Sequence, residues 1–395
     1  MQKAIQLALS LMLLIGITLN LTACTDDQQL QNLIGKNFET KVYDVGEAFN
    51  NIDIVTDTTD IELCPSDDGE CKVVAFDKKN VDYAVSVEDG TLRIRVDDKN
   101  GWFERLFSLG DATLTVYLPE KAYSLLSISE STGNISVAND FSFTDIDIDI
   151  STGNTDLYAS TSGHIDIKGS TGNIYVKDVS CGSLDIEVST GDVTVKNLEC
   201  LSDVEIEVST GDVKLENASF GSLSTKGDTG HFTANNMASS GNVLIERSTG
   251  KVNIDAAEIS GNLITETTTG DTNICNAICN GDVNMTVSTG NTTITNIECK
   301  NLTTVGDTGL IDMVDVVASS NFNIERRTGD VTFTRCDASE ITFLTDTGDV
   351  RGTLLSNKIF IYDTDTGDVE LPESTTGGKC KITTDTGDIV ISIEN

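Results

Sequence analysis

Five copies of the tripeptide Asp-Thr-Gly are the residues of this chain that most resemble a catalytic signature. The copies begin at Asp228, Asp307, Asp346, Asp365 and Asp385. An aspartic protease needs two such loops facing each other across a cleft, so that two carboxyl groups share one proton. Here Ser-Thr-Gly takes the same place in most other parts of the chain, at a constant spacing. The tripeptide therefore indicates a repeated turn and not a protease site.

Six aspartates towards the end of the sequence could hold a divalent cation. They fill the same two positions of three successive repeats: Asp346 and Asp349, Asp365 and Asp368, and Asp385 and Asp388. If the repeats stack, each position becomes a column of like charges about 4.8 Å apart, and neighbours repel by roughly 0.9 kcal/mol in bulk water. Solvent, salt and the amides of the turn could offset that repulsion. Weakly bound Ca²⁺ could do so as well, since it prefers carboxylate oxygens. No other cofactor is expected.

Nine of the ten cysteines follow the first forty residues and divide by position. Cys64 and Cys71 flank the loop Pro-Ser-Asp-Asp-Gly-Glu, and a disulfide between them is predicted if the compartment is oxidising. Two further pairs lie on adjacent repeats, nine residues after a repeated glycine: Cys181 with Cys200, and Cys279 with Cys299. Stacking would place their Cα atoms within disulfide range. Parallel stacking aims the Cβ atoms poorly, so free thiols are favoured over cross-links.

The N-terminus has the pattern of a bacterial lipoprotein signal. Lys3 precedes the apolar run 8–17, and Leu21-Thr22-Ala23-Cys24 closes it. In such signals cleavage falls before the cysteine, which then carries the acyl chains; several chains anchor a protein stably at a membrane surface. We therefore expect a signal peptide over residues 1–23, lipid on Cys24, a tether over residues 24–38, and a location outside the cytoplasm.

Composition narrows the classes of partner. The 395 residues include 26 Lys and Arg against 63 Asp and Glu, a net charge of -37. Nucleic acid is excluded as a partner, because phosphate binding needs a basic surface. Only 2 histidines are present, which disfavours histidine-based zinc sites and triads. The chain also has 33 glycines and 3 prolines, which is typical of many tight turns between short strands.

A repeat of 19 or 20 residues organises most of the sequence. Its marker is the dipeptide Thr-Gly, with the glycine at 133, 153, 172, 191, 211, 230, 250, 270, 290, 309, 329, 348, 367 and 387. Seven residues before each glycine the side chain is always apolar, from Leu126 to Cys380. Five before it, a mostly isoleucine column is broken by Thr225, Thr265 and Thr304.

The repeat predicts an elongated all-β fold. Apolar residues alternate on both sides of the Thr-Gly turn, so each repeat has two short strands that cannot bury their inner faces alone. Stacking in register buries them, as in a solenoid. We predict a single-stranded β-solenoid, or β-helix, of about fourteen 19–20-residue coils over residues 126–395, with two parallel sheets facing each other.

Residues 39–125 keep the β character without the regular spacing and are predicted to form an irregular N-terminal cap. Asp89-Gly90 joins two alternating runs and indicates a hairpin. The segment Trp102–Phe107 is predicted to be a short capping helix packed on the core, with an exposed membrane or partner patch as the alternative.

Several of these segments resemble a known family. Ile52-Asp53-Ile54, Asp89-Gly90-Thr91-Leu92, Val116-Tyr117-Leu118-Pro119 and the first Ser-Thr-Gly-Asn-Ile together resemble the bacterial "putative adhesin" family of unknown function, the toastrack-type domains. The resemblance covers residues 39–395. It implies a β-helix in the bacterial envelope and assigns no catalytic residues.

The sequence as a whole favours a non-enzymatic, lipid-anchored binding or scaffolding protein whose ligand is a protein or a glycan. An accessory role in envelope-stress signalling is an alternative. A polysaccharide-active enzyme is a weaker one, because enzymes on β-helices place their acids on long loops, and the spacing of these repeats leaves no room for such loops.

Overall fold

A computed structural model describes residues 38–97 and 112–394, without the side chain of Asp97. Every element within these residues is a β-strand. No helix that could span a membrane is found among them. The predicted signal peptide, Cys24, most of the tether and the Trp102–Phe107 segment lie outside the described residues.

Strands are numbered in chain order. The first nine are β1 (Phe38–Val45), β2 (Asn51–Thr58), β3 (Asp60–Pro65), β4 (Cys71–Lys78), β5 (Asp82–Glu88), β6 (Thr91–Asp97), β7 (Thr113–Leu118), β8 (Ala122–Thr132) and β9 (Ile135–Val137). The central strands are β10 (Ser142–Thr152), β11 (Thr155–Leu157), β12 (Ser160–Thr161), β13 (His164–Thr171), β14 (Ile174–Cys181), β15 (Ser183–Thr190), β16 (Val193–Cys200), β17 (Asp203–Thr210), β18 (Val213–Phe220), β19 (Ser222–Thr229), β20 (Phe232–Ser239), β21 (Val243–Thr249), β22 (Val252–Ile259), β23 (Leu263–Thr269), β24 (Thr272–Cys279), β25 (Val283–Thr289), β26 (Thr292–Thr308) and β27 (Ile311–Thr328). The remaining strands are β28 (Val331–Cys336), β29 (Glu340–Thr347), β30 (Val350–Leu354), β31 (Lys358–Thr366), β32 (Val369–Glu370), β33 (Gly378–Thr386) and β34 (Ile389–Ile393).

The predicted parallel β-solenoid is confirmed by the pairing of these strands. Coils are named by their turn glycine, and each central coil stacks on the coil one repeat away in the chain. In the Gly191 coil, β15 pairs in parallel with β13 and β17, so Ile186 lies between Ile167 and Ile206. Because the repeat length varies by only one residue, equivalent apolar residues stack in columns, and those of the central coils are almost fully buried.

Each coil has three inward-facing segments, where the sequence analysis predicted two strands. The residue six after the turn glycine adopts a left-handed conformation in nine consecutive coils, with Asn197 at φ 54° as an example. In β16 the alternation changes phase there: Val195 is buried before Asn197, and Leu198 directly follows it into the core. An asparagine tolerates this conformation and turns the chain through an extra corner.

The Thr-Gly turn requires glycine for lack of space as well as for conformation. Gly172 has a φ of +140°. A Cβ atom on it would overlap the carbonyl oxygen of Gly153 in the coil below and lie 2.5 Å from the carbonyl carbon. Beside the turn, the amide of Asn173 donates to Oδ1 of Asn154 (2.9 Å), and that of Asp192 to Oδ1 of Asn173 (2.9 Å). Polar side chains thus link successive turns into a ladder.

The coils at the N-terminal end are not stacked in sequence order. The coil of β2 and β3 lies between the coil of β6 and β7 and the coil of β8 and β9. Beyond the coil of β6 and β7, three further pairs are antiparallel: β5 with β6, β4 with β7, and β1 with β4. The hairpin predicted at Asp89-Gly90 is the connection between β5 and β6.

The order is also changed at the other end. Strands β33 and β34 pair with β29 and β30 on one side and with β31 and β32 on the other. The Gly387 coil therefore lies between the Gly348 coil and the Gly367 coil. The Gly367 coil is outermost, although it comes before the Gly387 coil in the chain.

Candidate functional site

The five Asp-Thr-Gly tripeptides lie in stacked turns along one edge of the rod. Thr229, which follows Asp228, pairs with Thr210 in one neighbouring coil and with Thr249 in the other. Asp228 is exposed to solvent beside the turn. Because the turns point the same way from successive coils, no two of these five carboxylates face each other across a cleft, which agrees with their interpretation as turns.

The six aspartates proposed as cation ligands form columns whose order follows the changed order of the coils. The amide of Asp388 donates to Oδ1 of Asp349 (2.8 Å), and that of Asp368 donates to Oδ1 of Asp388 (2.9 Å). Arg351 bridges the column, with Nη2 2.9 Å from Oδ2 of Asp349 and 2.6 Å from Oδ2 of Asp388. The amide of Asp388 and the guanidinium of Arg351 hold the pKa of Asp349 below its usual value.

These contacts offset much of the repulsion for which the sequence analysis considered Ca²⁺. The other three aspartates, Asp346, Asp365 and Asp385, are exposed beside the turns. Within the described part of the chain, no three acidic, histidine or cysteine side chains are grouped as metal ligands would be. A calcium site at this end stays a prediction.

The disulfide predicted between Cys64 and Cys71 is absent from the structure, where both are free thiols. Strand β7 lies between the strands that carry them, since β3 and β4 both pair with β7. The side chains also differ in direction: Cys71 is buried, whereas Cys64 follows the buried Leu63 and is partly exposed. A loop that looks like a hairpin in the sequence instead connects strands that are not neighbours.

The two stacked cysteine pairs are also free thiols. Cys181 and Cys200 are directly paired in β14 and β16, and both are buried. A hydrogen bond to Cys200, together with burial, raises the pKa of Cys181. Cys279 and Cys299 hold the same position further along the rod, and burial raises the pKa of both thiols.

Two buried arginines interrupt the apolar core. Arg247 is 3% exposed and donates from Nη2 to Oγ1 of Thr225 (2.9 Å). Arg326 is 0% exposed and donates from Nη1 to the carbonyl oxygen of Val287 (2.8 Å) and from Nη2 to Oγ1 of Thr292 (3.0 Å). Burial lowers the pKa of Arg247 to about 10. Both guanidinium groups are held by neutral oxygens of the core.

A glycine in the preceding coil makes room for each arginine. A Cβ atom on Gly227 would overlap Nη1 of Arg247, and one on Gly306 would overlap Nη1 of Arg326. Shallow surface grooves of about 340 and 270 Å³ lie over these two places. In each groove the acidic side chains outnumber the basic ones, so neither groove is suited to an anion.

A tyrosine pair stands out on the polar outer surface. Tyr158 and Tyr175 lie on adjacent coils with ring centroids 6.1 Å apart and planes at 75°. Tyr175 lies between the buried Ile174 and Val176, so its ring points outward, and it is partly exposed. Lys177 and Lys196 follow on the same face, and Nζ of Lys196 lies 2.9 Å from Oε2 of Glu216.

Two segments of the chain, residues 49–277 and 262–395, match the sequence pattern of the family described as Toastrack DUF4097. Together they cover most of the solenoid. The chain belongs to this Toastrack family. A search of curated proteins found no match to the chain.

Solved structures similar to this Toastrack chain come from Bacteroides and Parabacteroides species. A "putative adhesin" from Bacteroides fragilis NCTC 9343 is 14% identical, with 90% of this chain and 98% of that chain covered and a TM-score of 0.26. A second, from Parabacteroides merdae ATCC 43184, is 10% identical, with 80% and 96% covered and a TM-score of 0.31. A "putative lipid binding protein" from Parabacteroides distasonis ATCC 8503 is 13% identical, with 90% and 97% covered and a TM-score of 0.19.

Sequence reasoning missed the glycine–arginine pairs of this Toastrack solenoid, although a signal was present. Gly227 and Gly306 are 79 residues apart, and so are Arg247 and Arg326. The core threonines Thr225 and Thr304, noted as breaks in the isoleucine column, lie two residues before the two glycines. The tyrosine pair was not singled out either, because its two members lie on different coils and become neighbours only when the coils stack.

Proposed function

We propose that this Toastrack protein is a non-enzymatic, adhesin-like binding or scaffolding protein of the bacterial envelope. It is anchored outside the cytoplasm by lipid on Cys24, and its rod presents an outer surface to a glycan or protein ligand. The high acidic charge keeps the rod soluble and apart from anionic lipid, so that binding depends on local groups.

The observation that carries this proposal is the outward-facing pair Tyr158 and Tyr175. Tyrosine offers an apolar ring and a polar hydroxyl, a combination that suits ligands with both apolar and hydroxyl surfaces, such as sugar rings. Lys177, Lys196 and Lys214 supply hydrogen-bond donors on the same face, and Glu216 accepts from two of them. This group, called the tyrosine face, is where we place the ligand.

A binding assay tests the proposal. The purified chain is applied to an array of bacterial and host glycans, and bound glycans are recorded. It is also incubated with membranes from cells that lack it, and the proteins that it captures are identified. Tyr158→Ala and Tyr175→Ala should each reduce ligand binding at least tenfold. Thr293→Ala, a change at the equivalent outward position of a distant coil, should leave binding unchanged.

Other outcomes would contradict it. Binding that survives loss of both rings would place the ligand elsewhere. Recovery of a membrane kinase as the dominant partner would favour the signalling alternative, and cleavage of an array glycan would favour an enzyme.

Anchoring is tested separately by feeding cells a labelled fatty acid. The wild-type chain should incorporate the label and fractionate with membranes, and Cys24→Ala should lose both properties. Cys64→Ala is the matched control, because it removes a partly exposed thiol elsewhere and should keep the label. Equal labelling of Cys24→Ala would refute lipid attachment at that residue.

A further inference from the structure

One end of the described rod is an open strand edge. Strand β31 pairs with β33 on one side, and within the described residues no strand pairs with its other side. Its side chains include Ile361, which is 48% exposed, and Tyr362, which is 55% exposed. An exposed edge offers a row of unpaired amide and carbonyl groups to another strand.

The same end leaves the core open. Phe360 and Tyr362 lie in register with Cys380 and Ile382 of the next coil, both 0% exposed. They therefore belong to the inward-facing columns, which are buried in every central coil. Tyr362 is exposed because, among the residues that the structure describes, no further coil covers it.

The opposite end is protected by charge. Its outer strand β1 carries Lys41, whose Nζ lies 3.3 Å from Oε1 of Glu39 and 2.6 Å from Oδ1 of Asp82. Charged side chains on an edge strand discourage pairing with other chains. The two ends of the rod are thus unlike each other, and a head-to-tail contact between them is disfavoured.

The changed coil order places an apolar strand outermost. Outward-facing Ile359 and Ile361 of β31 pair with Lys379 and Lys381 of β33. If the coils followed sequence order, β33 and its two lysines would form the edge. Instead the lysines lie one strand in, and Lys-Ile-Phe-Ile-Tyr is left at the end.

Strand β31 is complementary to a second copy of itself. In an antiparallel pair centred on Tyr362, Ile361 faces Asp363 of the other copy, and Ile359 faces Asp365. Phe360 faces Thr364, and Lys358 faces Thr366. No two like charges are opposite each other, and the inward-facing residues of both copies close the two open cores against one another.

We propose that two copies of this chain join end to end through β31, as a two-fold symmetric dimer. The contact is isologous and closes on itself, so it stops at two copies. The parallel coils of each rod then continue as one longer rod with an antiparallel junction. Since both chains are strongly acidic, added salt strengthens the junction by screening their repulsion.

The test measures the mass of the full purified chain in detergent by light scattering, between 1 and 100 µM, in low and high salt. A dimer is expected, more fully formed at higher salt. Ile361→Asp places a carboxylate opposite Asp363 of the other copy at two symmetric positions, and this like-charge repulsion should shift the equilibrium at least tenfold towards monomer. Tyr362→Lys, a second disrupting variant, should do the same. Ile278→Asp is the matched control: Ile278 is 51% exposed on a central coil, and the variant should dimerise like the wild type.

Cross-linking fixes the geometry. Tyr362→Cys places two thiols beside the two-fold axis, so mild oxidation should give a covalent dimer; Ile278→Cys should not. The proposal is overturned by a monomer at every concentration, by a dimer that Ile361→Asp and Tyr362→Lys both leave intact, or by growth beyond two copies, which would indicate head-to-tail assembly. Unchanged circular dichroism spectra of the variants show that lost association is not lost folding, since both side chains are exposed.

Discussion

Adding one methyl group at each of two glycines of the same coil should have opposite effects. Gly172 is in the turn, at a φ of +140°, and a Cβ there would lie 2.5 Å from the carbonyl carbon of Gly153. Gly169, three residues earlier, faces the core; the nearest atoms to its Cβ would be Cγ2 of Val188 at 3.7 Å and Cγ2 of Ile150 at 3.8 Å. There is no room for a methyl group at Gly172, whereas a methyl group at Gly169 would make ordinary van der Waals contacts.

The size of the effect follows from how far the coils must separate. Carbon atoms pack at about 3.5 Å or more, so Gly172→Ala must open the gap to the Gly153 coil by about 1 Å. Hydrogen bonds between these coils, such as Gly153 amide to Thr171 oxygen at 2.8 Å and Thr155 amide to Asn173 oxygen at 2.9 Å, then exceed bonding distance. Two lost hydrogen bonds at about 1 kcal/mol each, with about 2 kcal/mol of backbone strain, lower the free energy of unfolding by roughly 4 kcal/mol.

Gly169→Ala should instead be neutral or stabilise the protein by up to about 1 kcal/mol, because glycine in a strand is less favourable than alanine. Urea unfolding of the purified chain measures both changes. Hydrogen exchange at Gly153 and Thr155 reports locally, which matters because a repeat array need not unfold in one step. Free energies of unfolding within about 0.5 kcal/mol of each other would refute the close stacking of the turns.

Four further outcomes are expected. Val204→Asp, at a position 1% exposed between Leu184 and Leu223, should cost several kcal/mol, whereas Glu205→Lys on the exposed side should be nearly silent in the same thermal melt. Burial raises the pKa of Glu130 from 4.5 to about 8. Because the folded state holds this proton more tightly than the unfolded state, Glu130 makes the free energy of unfolding fall as pH rises from about 4.5 to 8. Glu130→Gln should therefore flatten the pH dependence of the melting temperature across this range. Millimolar Ca²⁺ at constant ionic strength should raise the melting temperature of chelator-treated protein, and replacing the six aspartates with asparagine should abolish the rise; no rise would refute the calcium prediction. Alkylation without reductant, followed by mass spectrometry, should label the two stacked cysteine pairs, and unlabelled, linked cysteines would contradict their free state.

The regular part of the fold could be predicted because one spacing determines the register of every central coil. Once Gly191 and Gly211 stack, Ile186 must lie beside Ile206, and the alternation then assigns inward and outward faces. The corner at Asn197 was less visible, since a single left-handed residue shifts the alternation by one position without interrupting the repeat.

The order of coils at the two ends could not be predicted from the repeat. Ile341, Phe360 and Cys380 all lie seven residues before a turn glycine, so by position alone Ile341 could stack on either of the other two. In the structure it pairs with Cys380. A repeat specifies which positions meet but not which copies are neighbours. For the same reason the sequence did not reveal that Gly227 leaves space for Arg247, since this complementarity exists only between coils.

The placement of the Gly387 coil has a consequence for how the chain is assembled during synthesis. Strand β31 is made before β33, yet within the described residues β33 is the strand it pairs with. Residues 358–370 must therefore wait, unpaired, until residues 378–393 have emerged and docked on β29 and β30. A chain cut short before that point leaves β29 as a bare edge and its apolar columns open. Closing of this end of the rod thus depends on synthesis of residues 378–393, and products truncated before them expose surface that proteases and chaperones can recognise.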